Sequence, residues 1–140
     1  MRYGELISLL MVDLQGLLRS HLKIKEATFQ QVIAISVIPD IGIEMSSLSK
    51  KLGIDNSTAT RLVNGLGKKN WIKKTLCPND KRVVLVFLTI KGIVIQKKIE
   101  SQLDKIGEIV ERLFTPADRC QILEQMRSLH WKLVTMSLKK

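Results

Sequence analysis

A chain of 140 residues, 45% of them hydrophobic, points to one compact domain with a real core, and its formal charge of +10 points to a polyanionic partner. No membrane span or secretory leader is expected: the apolar run Leu6 to Leu18 is short and broken by Asp13 and Gln15, and Arg2 pairs with Glu5 ahead of no small-residue cleavage site. His21 and His130 stand alone, no glycine-rich phosphate loop occurs, and Cys77 and Cys120 lack metal-type spacing, so the reading is a cytoplasmic protein that is no enzyme and takes no metal or cofactor.

In chain order, Leu6, Leu9, Leu10, Leu14, Leu17 and Leu18 give a broad apolar face to a helix from about Glu5 to Arg19. Thr28 and Gln31 have the spacing of a capping box for a second helix, which Pro39-Asp40 closes. Ile41 to Glu44 suits a short strand. Leu48, Leu52 and Ile54 then fall at helical offsets, Gly53 sits where a left-handed turn is needed, and Ala59 and Leu62 return a further helix, capped by Asp55, to the core. This is the pattern of a helix-turn-helix. Asn56, Ser57, Thr58, Thr60 and Arg61 are short or forked hydrogen-bonders on the side away from Ala59 and Leu62, where a DNA major groove would receive them. Gly65 and Gly67 each weaken a helix by roughly 1 kcal/mol relative to alanine, which predicts a frayed C-terminal end, with Asn70 as a left-handed cap.

Ile72 to Leu76 and Arg82 to Leu88 are β-prone runs around the turn-like Cys77-Pro78-Asn79-Asp80-Lys81. Thr89 caps a long helix that runs to about Phe114, striped by Ile95, Ile99, Leu103, Ile106, Val110 and Leu113. Thr115-Pro116-x-Asp118 opens the last helix, with Ile122, Leu123, Met126, Leu129, Leu133 and Met136 along it. The fold class is mainly α with a small β-hairpin wing.

Charge is concentrated where those motifs lie. Residues 46 to 92 hold ten Lys or Arg against two Asp, a net +8 of the chain's +10. A surface that binds DNA must oppose phosphates along its footprint, so Lys68, Lys69, Lys73, Lys74 and Lys81 are assigned to phosphate attraction. Arg82, near the hairpin tip, is assigned to the minor groove, where the negative potential is greatest. Asp80 is read as wing support that holds the Arg82 guanidinium.

The stretch Leu48 to Gly92, with its Asp80-x-Arg82 and Leu88-Thr-x-x-Gly92 landmarks, resembles the MarR/SlyA family of bacterial winged-helix transcription regulators, and the helix order extends the resemblance over the whole chain. The resemblance implies a homodimer on a pseudo-palindromic operator, usually as a repressor, and in many members a small aromatic or anionic effector, whose contacts here remain unassigned. On that reading residues 1–27 and 90–140 form a helical dimerisation region and 28–89 a winged helix-turn-helix. Leu6, Leu10, Leu113, Ile122, Met126, Leu129, Leu133 and Met136 are then assigned to the dimer interface, because the end helices carry more apolar surface than they can cover alone. Cys77 is read as an ordinary reduced thiol. Two alternatives stay open: an architectural DNA-binding protein of low specificity, and a winged-helix protein-interaction module.

Overall fold

The computed structural model describes residues 1–139; Lys140, the last residue of the expected helical segment 90–140, lies outside them. The order is α1 (Tyr3–His21), α2 (Phe29–Val37), β1 (Ile43–Glu44), α3 (Met45–Leu52), α4 (Asn56–Lys68), β2 (Ile72–Cys77), β3 (Asp80–Leu88), α5 (Ile90–Glu111) and α6 (Pro116–Leu138). The backbone divides into two units, with the boundary between Leu103 and Asp104 inside α5.

In the first unit, α2 opens on the capping box: the Gln31 amide donates to Thr28 Oγ1 at 3.2 Å, and the Thr28 amide donates to Gln31 Oε1 at 3.1 Å. Val32, Ala34 and Ile35 of α2 are buried with Ile38, Leu48, Val63, Leu66, Ile72, Val86 and Ile99. The sheet order is β1-β3-β2, all antiparallel, and the expected strand at Ile41 to Glu44 contributes Ile43 opposite Val86 and Glu44 opposite Leu85. Gly42 enters it at φ +84°, where a Cβ would stand 2.5 Å from the Phe87 ring, so the turn needs a residue without a side chain.

Two long-range features fix α5 on this unit. Gln96, buried, donates from Nε2 to the carbonyls of Ile35 and Ile38, both at 2.8 Å, and so satisfies the Ile38 acceptor and supplements the single long bond, from the Ile38 amide at 3.4 Å, that Ile35 accepts at the end of α2. Thr89 caps α5 as expected: its hydroxyl accepts from the Gly92 amide at 3.0 Å and donates to the Asn70 carbonyl at 2.6 Å. At Gly92 the helix passes so close to the backbone just ahead of β2 that a Cβ would overlap the Trp71 carbonyl oxygen.

Several expected boundaries shift. The strands run to Cys77 and from Asp80, leaving a turn of only Pro78-Asn79. α5 stops at Glu111 rather than Phe114, because Leu113 and Phe114 bond back to Val110 and Glu111 in tight three-residue turns ahead of Pro116, which disfavours helix at Thr115. α4 continues through Gly65 and Gly67 to Lys68 in place of a frayed end. Full burial of Leu66, about 2 kcal/mol, offsets the two glycine penalties, and Gly65 leaves room for Gln31, whose Nε2 would lie 3.2 Å from a Cβ there.

Within the second unit, Pro116 occupies the first turn of α6, and Thr115 Oγ1 donates to the Asp118 carboxylate at 2.8 Å. Arg119 donates from Nε towards the carbonyls of Glu111 and Phe114, at 3.1 and 3.3 Å, closing the C-terminal end of α5. No residue of α6 is buried, and no residue of α1 in the first unit is buried either.

Candidate nucleic-acid interface

The α3–α4 turn is built from local hydrogen bonds. Gly53 closes α3 at φ +67°. The Ser49 hydroxyl lies between two acceptors, the Ser46 carbonyl at 2.8 Å and Asn56 Oδ1 at 2.9 Å, which ties the start of α4 to α3. Asp55 caps α4 by accepting from the Thr58 amide at 2.7 Å and from the Ser57 hydroxyl at 3.0 Å. The bonds from Thr58, reinforced by Ser57 and the charge of Arg61, hold its carboxyl below the ordinary aspartate range.

Burial of Ala59, Val63 and Leu66 sets the rotation of α4. Ser57, Arg61, Asn64 and Lys68, at steps of four, three and four residues, then form one exposed line opposite the core. Of the five α4 residues expected in the groove, Ser57 and Arg61 stand on that line. Thr60 flanks it, its hydroxyl donating to the Asn56 carbonyl at 2.8 Å; Asn56 faces Ser49, and Thr58 is half-buried. Asn64 joins the line as well, a position that its spacing from Ser57 and Arg61 signals and residue type does not.

The wing begins beside this line. Lys74 on β2 donates from its ammonium to Asn64 Oδ1 at 2.6 Å. Adjacent strand residues point to opposite faces, so Lys73 turns the other way, its ammonium 6.0 Å from the Phe87 ring centroid. Lys68 and Lys81 are exposed, whereas Lys69 bonds to the Glu26 carbonyl and lies 5.3 Å over the Trp71 ring, off the outward line. At the tip the register jumps from Leu76 opposite Val84 to Cys77 opposite Asp80, so Lys81, Arg82 and Val83 bulge from β3. Asp80 accepts from the Arg82 amide at 3.0 Å and from its Nε at 3.2 Å, while the Arg82 side chain is 92% exposed. The Arg82 amide first, and its guanidinium second, lower the Asp80 carboxyl below its usual range.

Elsewhere in the first unit, a cavity of about 530 Å³ is lined by Arg19, Lys23, Lys25 and Phe29 among others, with the Arg19 guanidinium 4.2 Å from the Phe29 ring centroid. Among the described residues no group of three His, Cys, Asp or Glu could hold a metal, and no helix is long and apolar enough to cross a membrane.

Residues 39–84 match the family model described as the MarR family. The chain is 35% identical over 69 residues to the transcriptional repressor MprA of Escherichia coli (strain K12), a stretch covering 49% of this chain and 39% of that protein. It is 36% identical over 93 residues to the multiple antibiotic resistance protein MarR of Salmonella typhimurium, covering 66% of this chain and 65% of that one. The chain thus spans less than two thirds of the length of these relatives. Among solved structures, a mutant MarR from E. coli complexed with operator DNA superposes with a TM-score of 0.73 at 25% identity, over 90% of this chain and 91% of that one.

Proposed function

From the match of residues 39–84 to the MarR family model and the 36% identity to a MarR protein over 93 residues, we propose that this chain is a member of that family and a homodimeric transcriptional repressor that binds a pseudo-palindromic DNA operator and is released by a small ligand. The observation that carries this reading is the pairing of one outward line on α4, Ser57, Arg61, Asn64 and Lys68, with a wing whose exposed Arg82 is held by Asp80. The α4 line offers hydrogen-bonding groups to base edges, Arg82 reaches for the minor groove, Lys68, Lys74 and Lys81 oppose phosphates, and Lys73, on the other face of β2, adds to the positive field. Thr60 and Asn56 supply flanking contacts at the groove edge, and Thr58 acts through the cap it makes with Asp55. Lys69 contributes long-range charge only.

The dimer reading is supported by apolar faces left open. Leu6 and Leu10 of α1 are 45% and 43% exposed, and Met126, Leu129, Leu133 and Met136 of α6 are comparably open, with Ile122 half-buried and Leu113 beyond the end of α5. Faces of that size in a chain bearing a DNA-reading helix fit a second copy, which would set two α4 helices about 34 Å apart on successive major-groove turns. The cavity beside Arg19 suits the effector: three cations attract a carboxylate, and the Phe29 ring offers an aromatic face.

Fluorescence-anisotropy titration against the DNA upstream of the chain's own gene and against a scrambled duplex, at several salt concentrations, tests the reading. Upstream binding at least about a thousandfold tighter is expected of a specific regulator. Equal, salt-steep affinities would replace it with the architectural alternative, and no binding would refute both.

A further inference from the structure

Asn64 stands in the middle of the outward α4 line and is exposed, but its side chain is not free to rotate its two ends at will. The Lys74 ammonium donates to Asn64 Oδ1 at 2.6 Å. We infer that Asn64 is a base-reading residue whose amide is held donor-outward by Lys74, so that this part of α4 selects guanine over adenine in the major groove. The inference rests on the DNA-binding reading above and adds the residue and the base.

An ammonium has hydrogens and no lone pair, so it draws the carbonyl oxygen of the amide towards β2 and leaves the NH₂ on the far side. The bond from Lys74 is made to the oxygen alone, and the residue is exposed, so the NH₂ is open to a partner from outside. Asparagine normally reads adenine with both ends at once, accepting from N6 and donating to N7. Here the accepting end is engaged, and the remaining Lys74 hydrogens add only further donors. Guanine alone presents two acceptors, N7 and O6, side by side on its major-groove edge, and these match a set composed only of donors.

Position along the helix separates base from phosphate. Asn64 lies seven residues beyond Ser57, a rise of about 10 Å, and Lys68 eleven beyond, about 16 Å, so Asn64 stands nearer the N-terminal end that meets base edges and Lys68 farther out, suited to phosphate. The space in front of Asn64 is open: a cavity of about 450 Å³ is lined by Val63, Asn64, Gly67, Lys68, Ile72 and Lys74, and a Cβ on Gly67 would meet nothing within 4 Å.

Selection of bound duplexes from a randomised pool with the full chain, followed by titration of single-base variants, reads this directly. Wild type is expected to require guanine at one position in each half-site. Asn64→Ala lowers that preference about tenfold, and Asn64→Asp, which keeps the bond to Lys74 but has no donor, lowers it as much. Lys74→Met frees the carbonyl and moves the preference at that position towards adenine, with other positions unchanged. Variants that bind the selected DNA with an unaltered base profile, weakened alike for all sequences, would overturn the inference and leave the DNA-binding reading standing. Failure of the wild-type chain to bind any duplex would overturn both.

Discussion

Replacing Gln96 by leucine isolates the bond pair that fastens α5 to the end of α2. The side chains are of similar volume, so the change removes two hydrogen bonds of 2.8 Å with little change in packing. The Ile35 carbonyl keeps one long bond, from the Ile38 amide at 3.4 Å, while the Ile38 carbonyl loses its partner in a site where Gln96 is only 8% exposed. One fully and one partly orphaned buried carbonyl cost about 2–4 kcal/mol, and the better burial of leucine returns about 1 kcal/mol, for a net loss of about 2 kcal/mol. That is a substantial share of a typical stability of about 5–15 kcal/mol. For a chain of this size it lowers Tm by about 4–8 °C, measured by thermal unfolding at one fixed protein concentration because the proposed self-association would shift the apparent value. Amide hydrogen exchange should show the loss first at the end of α2. An unchanged Tm together with unchanged exchange at Val37 and Ile38 would refute the reasoning.

Gly92→Ala should cost at least about 3 kcal/mol in urea unfolding, because the added carbon also lies 2.9 Å from the Trp71 carbonyl carbon and only backbone movement relieves it; a midpoint equal to wild type would contradict the close approach. Asp80→Ala should weaken operator binding in a titration far more than it lowers the unfolding midpoint, and Arg82→Ala should weaken binding at least as much, with no further loss in the double variant if Asp80 acts on binding only through Arg82. The carboxyls of Asp55 and Asp80 are held below their unfolded values, so their contribution to stability is fully present above the ordinary aspartate range and fades only as pH falls through the lower folded values. Acid unfolding of Asp55→Ala should therefore show a shallower fall with pH than wild type in that acidic window, and an identical slope would remove Asp55 from the account.

What the sequence determined by itself is local. Thr28 with Gln31, Asp55 before α4, Gly53 and Asn70 in left-handed turns, and Thr89 before α5 each act through atoms two to four residues away, so residue type and spacing suffice to place them. The charge excess on residues 46 to 92 is likewise a property of order along the chain. The tertiary structure decided the rest. Gln96 meets carbonyls 58 and 61 residues away, Gly92 is required by the Trp71 backbone, and Asn64 gains its orientation from a lysine on a neighbouring strand. The survival of α4 past Gly65 and Gly67 depends on Leu66 finding a buried site that no helix propensity records. Hydrogen bonds that close within one turn are specified by neighbouring residues, whereas the partner of a buried polar group, and the room beside a glycine, exist only once separate elements pack together.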